Sequence, residues 1–227
     1  MLLALMNATT HPLQTALQTM LPAGMTSSVC PAPERVAFEY DEEAACVAEA
    51  VAHRQREFLG GRLCLRDAMK ALGQAPVSVP NNAKRMPLWP EGMVASISHS
   101  RGLCAAVAGH AEQYQLVGLD IEQTGRLKSG ALKRVMHPDE RAREGEDLLT
   151  GTLFFSAKEA FYKAQSPHFG ESPAFHDLQL KRSTDGSSLE VVQTTGMSST
   201  LADCAGGMIF QYRILEGLVC VLCWRAV

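Results

Sequence analysis

The stretch "VGLDIEQTGR", residues 117–126, sets two acids one position apart inside an apolar run. Side chains on a β-strand alternate between its faces, so Asp120 and Glu122 share one face while Leu119 and Ile121 share the other. Two neighbouring carboxylates repel each other unless a basic partner, a shared proton or a metal ion offsets the repulsion. The stretch therefore predicts a strand whose polar face needs a positive group close by.

The composition is that of an ordinary globular protein. The 227 residues are 46% hydrophobic and 20% charged, enough to bury a substantial core as one large domain or two small ones. A formal net charge of −3 provides no field for binding nucleic acid, so we expect no such partner and look for local anion sites instead. Seven scattered cysteines, an odd number, indicate reduced thiols of a cytoplasmic protein rather than a disulfide framework.

Two further segments bear on localisation and on metal or redox chemistry. Cys220 and Cys223 form a CxxC, but in a strand-like run residues three apart face opposite ways, so we expect buried thiols rather than a zinc or redox pair. The start, "MLLALMNATT", is a poor signal peptide, because its apolar run is short and no Lys or Arg precedes Arg35. We also expect no membrane span and no membrane partner.

The pattern along the first half is helical, then extended. Apolar residues at helical spacing after Pro12 predict a short helix, and 26–33 reads as a loop. Residues 41–72 have a helical composition, as one helix or two, in which Gly60 and Gly61 mark a close contact. Three strand candidates follow, at 94–98, 103–109 and 116–121.

The second half repeats this order of helix and strands. A helix is expected to start at "MHPDER" with Pro138 in its first turn, and another covers about 152–165. Four strand candidates follow, near 175–182, 188–193, 208–215 and 218–225. The fold class predicted is therefore α+β with two similar halves, 1–117 and 118–227, although no residue-level repeat is visible.

The helix "LFFSAKEAFYKAQ" and the strand connection "HSRG" carry the remaining chemical residues. Glu159 and Lys163, four apart, form either a surface ion pair of about 0.2–0.5 kcal/mol or part of a site, in which Glu159 supplies a third carboxylate for magnesium. His99 is either a structural histidine or part of an anion site with its neighbours Ser98, Ser100 and Arg101. Both alternatives stay open on the residues alone.

Four motifs in register resemble one enzyme family. These are "RQREFLGGR" at 54–62, "WPEGMVASISHS" at 89–100, "GLDIE" at 118–122 and "FSAKEAFYKA" at 155–164. Together they resemble the 4′-phosphopantetheinyl transferase superfamily in its monomeric siderophore- and surfactin-synthetase type, and most of all its enterobactin-type members. The resemblance runs from about residue 54 to 167. The segments outside this range have a similar general pattern but no specific motif of the family.

The resemblance implies a fold and a reaction. The fold has two pseudo-symmetric halves, each a long helix packed on a small antiparallel sheet, with coenzyme A in the cleft between them. Magnesium, or manganese in its place, bridges the coenzyme's pyrophosphate. A monomeric enzyme transfers the 4′-phosphopantetheine arm to a serine of an apo acyl, peptidyl or aryl carrier protein in siderophore or other secondary metabolism, releasing adenosine 3′,5′-bisphosphate.

The resemblance also assigns roles to individual residues. Asp120, Glu122 and Glu159 match the metal-binding acids, and Glu159 and Lys163 match catalytic positions. The positions matching groups that bind coenzyme A are basic: Arg54, Arg62, Lys84, His99, Lys158 and Lys163. Ile121 between the acids adds no third ligand from the strand. The base that accepts the serine proton stays open among Glu159, Glu122 and a metal-bound water.

The physics of the residues agrees with these roles. Phosphoryl-group transfer depends on positioning and charge neutralisation, so a site needs a metal, several cations and one base. Arg54 and Arg62 differ by only about 80° around a helix axis and can point into one cleft, although solvated arginines are the ordinary alternative. Between 126 and 143 there are six bases and two acids, an excess of four positive charges, so the segment either docks an acidic carrier or is a plain solvated loop.

Two other functions remain compatible with the residues. Clustered carboxylates also serve metal-dependent hydrolases of phosphate esters, and a non-catalytic carrier-binding homologue would keep the fold. The sequence leaves open which carrier and pathway the protein serves, and which residues contact the carrier.

Overall fold

The computed structural model describes residues 11–227, so the segment "MLLALMNATT" and the expectation about a signal peptide lie outside the described residues. The described chain alternates helices with antiparallel strands. The helices are α1 (Pro12–Met20), α2 (Asp41–Ala45), α3 (Ala52–Ala71), α4 (Ser129–Val135), α5 (Pro138–Glu144), α6 (Leu148–Phe169) and α7 (Ser199–Gly206), with a 3-10 turn at Phe175–Asp177. The strands are β1 (Thr26–Pro31), β2 (Met93–Ser100), β3 (Leu103–His110), β4 (Tyr114–Gln123), β5 (Leu178–Arg182), β6 (Ser188–Thr194), β7 (Ile209–Leu215) and β8 (Leu218–Ala226).

The strands form two antiparallel sheets. The first has the order β1-β3-β2 and the second the order β4-β8-β7-β6-β5. Serine hydroxyls on β2 join the sheets, because Leu119 N donates to Ser96 Oγ at 2.9 Å and Ile121 N donates to Ser98 Oγ at 3.1 Å. The predicted α+β class is confirmed, with α3 packed on the first sheet and α6 on the second.

The strand with the two acids has the predicted alternation. Leu119 and Ile121 are buried in a core that also contains Leu13 and Leu17 of α1, while Asp120 lies on the other face. The CxxC was also interpreted correctly. Cys220 and Cys223 are both fully buried free thiols and belong to two different cores on opposite faces of β8.

Small residues let each long helix approach its sheet closely. A Cβ at Gly118 would lie 1.9 Å from the carbonyl oxygen of Ala160 on α6, so only glycine allows this approach. In the first half, Cβ atoms at Gly60 and Gly61 would lie 2.6 Å from Cys104 Sγ and from an Ile97 methyl. The close contact predicted at the two helix glycines is confirmed.

Several sequence expectations were wrong or incomplete. The predicted loop at 26–33 is largely β1, whose partly buried Ser/Val/Cys residues pair with β3 although they show no clear alternation. The helical stretch 41–72 is two helices, separated by turns between Cys46 and Val51. The helices α4 and α7 were not expected. The division of the chain between residues 117 and 118 stays a prediction, and β4 runs across that position.

A buried ion pair recurs in both halves. Arg66 on α3 binds Glu43 on α2 at 2.8 Å, and Glu43 Oε1 also accepts from the backbone N–H of Val79 at 2.8 Å. Lys158 on α6 binds Glu140 on α5 at 2.7 Å, and Glu140 Oε1 accepts from Leu180 N at 2.8 Å. Each long helix is thus linked by an ion pair to the short helix before it, whose glutamate also binds the chain that follows the long helix. This similarity between the two halves is visible in the contacts but not in the sequence.

Candidate active site

A cavity of about 480 Å³ lies between the two halves. Its walls come from α3, β2 and the connection before β2 on one side, and from the end of β4 and α6 on the other. The cavity is lined by eight of the nine residues that the sequence placed in the site: Arg54, Arg62, Lys84, His99, Asp120, Glu122, Glu159 and Lys163. The structure therefore brings together acids and bases that are up to 109 positions apart in the chain (163 − 54).

Asp120 is the most buried of the three acids, and three side chains hold its carboxylate. Lys163 Nζ donates to Oδ1 at 2.7 Å, Ser98 Oγ donates to the same oxygen at 3.2 Å, and Ser156 Oγ donates to Oδ2 at 2.8 Å. Lys163 Nζ also donates to Ser98 Oγ at 2.9 Å. The basic partner that the paired acids required is thus Lys163, four residues after Glu159 on α6.

Glu122 and Glu159 are less well neutralised than Asp120. Burial, followed by the negative charge of Asp120, raises the pKa of both carboxyl groups above the usual range. Lys163 opposes this shift in both cases, and Arg126, whose guanidinium lies 3.3 Å from Glu122 Oε2, opposes it at Glu122. Two acids with raised pKa values beside a third acid form a site that a further cation would stabilise.

The donor set suits magnesium, although the acids do not converge on one point. Within residues 11–227 no three Asp, Glu, His or Cys side chains are grouped closely enough to hold a metal ion, and Asp120 is paired with Lys163. Carboxylate oxygens from two walls of one cavity are nevertheless the ligands that magnesium prefers. Burial first and the charge of Asp120 second raise the pKa values of Glu122 and Glu159, so a cation between these acids would favour their charged forms, and the donor set fits the ion.

Glu57 is a site residue that sequence reasoning missed. Its Oε2 lies 3.2 Å from His99 Nδ1, and the Arg54 guanidinium contacts the other ring nitrogen. Burial, followed by the positive charge of Arg54, lowers the pKa of His99 to about 4, so the ring is neutral at neutral pH. Glu57 lies three residues after Arg54 on α3, a spacing that places both on one helix face and was the available signal.

Arg62 is buried and its guanidinium is held by the chain before β2. Its Nε donates to Val79 O at 2.6 Å and its Nη2 donates to Asn81 Oδ1 at 2.7 Å, while the guanidinium carbon lies 4.2 Å from the centre of the Phe58 ring. Burial lowers the pKa of Arg62 to about 10, so the group keeps its charge at neutral pH. A fixed, weakly hydrated guanidinium suits binding of phosphate oxygens.

Lys158 does not line the first cavity with the other expected phosphate-binding residues, although it lines the second cavity described below. Its side chain is 2% exposed, and its Nζ donates to Glu140 Oε2 at 2.7 Å and to Val135 O at 2.9 Å. On α6, Lys158 and Glu159 point in different directions because neighbours in a helix are about 100° apart. Lys158, although next to Glu159 in sequence, therefore forms a buried ion pair with α5.

A second cavity of about 600 Å³ adjoins the first, because Glu159 and Tyr162 line both. Its other walls include the apolar side chains of Phe161 and Phe175, and the exposed bases Lys133 and Arg134 of α4. The two cavities meet at the acid predicted to be catalytic.

None of the helices within residues 11–227 combines the length and the apolar character needed to cross a bilayer.

Comparison with known proteins identifies the class. Residues 42–109 match the 4′-phosphopantetheinyl transferase N-terminal domain, and residues 116–206 match the 4′-phosphopantetheinyl transferase superfamily domain. The 4′-phosphopantetheinyl transferase Npt of Nocardia iowensis is 36% identical over 155 residues, which are 66% of this chain and 69% of that protein.

Two further relatives are more distant or shorter matches. Enterobactin synthase component D of Salmonella typhimurium is 36% identical over 119 residues, half of this chain and 49% of that protein. A crystal structure of holo-ACP-synthase from Plasmodium yoelii superposes with a TM-score of 0.40 at 19% identity, covering 50% of this chain and 94% of that one. The chain belongs to the 4′-phosphopantetheinyl transferase superfamily. The family predicted from the motifs, and with it an enzyme of this class, is confirmed.

Proposed function

We propose that this chain transfers the 4′-phosphopantetheine arm of coenzyme A to a serine of an apo carrier protein, with Asp120, Glu122 and Glu159 holding magnesium. The observation that carries the proposal is the single cavity in which three acids face the basic groups Arg54, Arg62, Lys84, His99 and Lys163. A pyrophosphate with an additional phosphate requires this combination of cations with a metal site.

The residues divide the work by position. Arg54, His99, Arg62 and Lys84, on the first half of the chain, bind the nucleotide phosphates and fix the coenzyme's orientation. Magnesium, or manganese, when bound by the three acids, neutralises negative charge on the pyrophosphate. Lys163 Nζ lies beside Asp120 and can donate to a phosphate oxygen while the leaving group gains negative charge.

Glu159 is the proposed base. It lines both cavities, so a carrier serine arriving through the second cavity meets it before reaching the phosphates. Burial and the charge of Asp120 raise the pKa of Glu159 in the metal-free protein, and a bound magnesium ion would lower it again, so Glu159 acts as a modest base while the metal stabilises the leaving phosphate. The serine oxygen then forms a bond to the phosphorus that carries pantetheine, the bond from that phosphorus to adenosine 3′,5′-bisphosphate breaks, and the serine proton passes to Glu159.

The second cavity provides space for the pantetheine arm and the carrier. Its aromatic walls suit the uncharged arm, and Lys133 and Arg134 at its rim suit an acidic carrier surface. We further propose that the enzyme acts as a cytoplasmic monomer. The free cysteines agree with a reducing compartment, and the two halves of one chain supply both walls of the first cavity.

One assay tests the proposed function against its alternatives. Incubation with coenzyme A, magnesium and an apo carrier protein should increase the carrier mass by one phosphopantetheine group, measured by mass spectrometry. Release of free phosphopantetheine without carrier labelling would favour a phosphate-ester hydrolase, and binding without any turnover would favour a non-catalytic homologue.

A further inference from the structure

The contact between Lys163 and Asp120 has a consequence for how the site is loaded. Lys163 Nζ lies 2.7 Å from Asp120 Oδ1, and the carboxylate is only 5% exposed. Ser98 and Ser156 donate to the same carboxylate, so the protein alone supplies it with a counter-ion and two hydroxyl donors. A buried carboxylate satisfied in this way has little to gain from a second cation.

The other two acids are in the opposite situation. Glu122 Oε2 lies 3.3 Å from the guanidinium of Arg126, whose side chain is 68% exposed, and none of the ion pairs among residues 11–227 includes Glu159. Asp120 therefore has a counter-ion inside the site, whereas Glu122 has only a solvent-exposed one. A metal ion that binds Asp120 Oδ1 together with Glu122 and Glu159 must displace Lys163 from that oxygen.

Lys163 has an alternative contact within the same cavity. The side chain is 29% exposed and lines the cavity together with Arg54, Arg62 and Lys84. Phosphate oxygens bound among these bases would offer the ammonium group a new anionic partner. An ammonium group on a flexible four-carbon chain can change partners without any movement of α6.

We propose that Lys163 acts as an internal counter-ion that occupies the metal-binding oxygen of Asp120 until coenzyme A binds, so that the divalent ion and the coenzyme bind with positive cooperativity. The proposal rests on the proposed function, because it takes the three acids as the metal ligands. By thermodynamic linkage, coenzyme A must tighten metal binding by the same factor by which the metal tightens binding of coenzyme A. Lys163 is thus a positioning residue for the metal, in addition to any contact with phosphate.

Binding of Mn²⁺, followed by electron paramagnetic resonance of the free ion without any carrier, tests this directly. The wild-type protein should bind Mn²⁺ weakly alone and at least about tenfold more tightly with saturating coenzyme A. Lys163→Met should bind Mn²⁺ alone at least about tenfold more tightly than the wild type, because Asp120 has lost its competing cation. In that variant coenzyme A should tighten Mn²⁺ binding by a smaller factor than in the wild type, because only the attraction of its own phosphate oxygens for the ion remains.

Two control variants distinguish the loss of the Lys163–Asp120 contact from a general change in the charge of the site. Lys163→Arg keeps a cation at the position and should resemble the wild type. Arg126→Gln removes a cation from Glu122, but Arg126 is 68% exposed, so its effect on Mn²⁺ affinity should stay below about threefold because solvent screens it. If Lys163→Met folds poorly, Lys163→Gln serves the same purpose, with Mn²⁺-dependent thermal stabilisation as a second measurement.

The contrary results are distinct. Equal Mn²⁺ affinity of the free wild type and Lys163→Met, or tight binding by Lys163→Arg, would overturn the exchange. If the wild type nevertheless modifies a carrier, the proposed function stands and only the counter-ion role is wrong. If the wild type shows no transfer with any apo carrier tested, the proposed function itself fails.

Discussion

Glu57 and His99 are directly paired at the edge of the cavity, with Oε2 3.2 Å from Nδ1. This contact places the ring proton on Nδ1 and leaves Nε2 as an acceptor, which the Arg54 guanidinium contacts. Glu57 thereby sets the orientation of two groups that we expect to meet coenzyme A, although it is not one of the basic groups itself.

The first prediction tests this positioning role. Glu57→Ala should raise the KM for coenzyme A about tenfold and change kcat less than about twofold, because the effect is on binding before chemistry. In a His99→Ala background the same substitution should have almost no further effect, since the two residues act as one unit. Steady-state kinetics of the wild type, the two single variants and the double variant measures this double-mutant cycle, with substitution of the exposed Glu49 by Ala as control. Strictly additive effects of the two substitutions on KM would contradict the positioning role of Glu57.

The second prediction concerns the buried pair of Lys158 and Glu140. Lys158→Met leaves Glu140 with no countercharge in a buried position, so it should lower the free energy of unfolding by about 3–5 kcal/mol. The double variant with Glu140→Gln should recover part of that loss. Urea unfolding measures both. The KM for coenzyme A should not change in the folded protein, and a large increase would return Lys158 to the phosphate-binding set.

The third prediction separates the proposed base from a metal ligand. Glu159→Gln keeps the size and one ligand oxygen but removes the proton acceptor, so kcat should fall at least about a hundredfold while coenzyme A still binds. Asp120→Asn should instead weaken metal and coenzyme together, with partial recovery at high metal concentration. Near-normal kcat in Glu159→Gln would assign the base to Glu122 or to a metal-bound water.

The fourth prediction follows from the raised pKa of Glu159. A carboxyl whose pKa is higher in the folded than in the unfolded protein stabilises the fold below its unfolded pKa, and this contribution is lost as the pH rises through the folded pKa. At pH 7 without metal, the ionised Glu159 therefore lowers the free energy of unfolding. Glu159→Gln should raise the Tm at pH 7 and much less at pH 4, measured by calorimetry in the presence of a chelator. An equal gain at both pH values would exclude an electrostatic cause.

The fifth prediction concerns docking of the carrier. Arg141 binds Glu146 at 2.7 Å and Arg143 donates to Leu180 O at 3.2 Å, so reversing their charge would disturb local structure. Lys133 and Arg134 are exposed at the second cavity and are the better test. Lys133→Glu with Arg134→Glu should raise the KM for an acidic carrier and flatten its salt dependence, with coenzyme A binding unchanged. Unaltered carrier kinetics would exclude this surface.

The sequence determined the local structure around the acids. Alternation in β4 placed Asp120 and Glu122 on one face, and Pro12 and Pro138 marked the first turns of α1 and α5. The motif resemblance also placed Arg54, His99 and Lys163 around one cavity, because residues at fixed spacing on a helix or strand keep their direction in every fold that contains them.

Only the tertiary structure decided the partners of those residues. Nothing in the local pattern distinguishes Lys158 from Lys163, yet one is buried against Glu140 and the other meets Asp120, 43 positions away. The strand β1 likewise depends on pairing with β3, more than seventy positions further along the chain. Helix and strand periodicity are set by the backbone and can be read locally. The partner of a charged side chain depends on which helices and strands pack together. That packing relies on close approaches such as the contact of Gly118 with Ala160, which cannot be predicted from the local sequence.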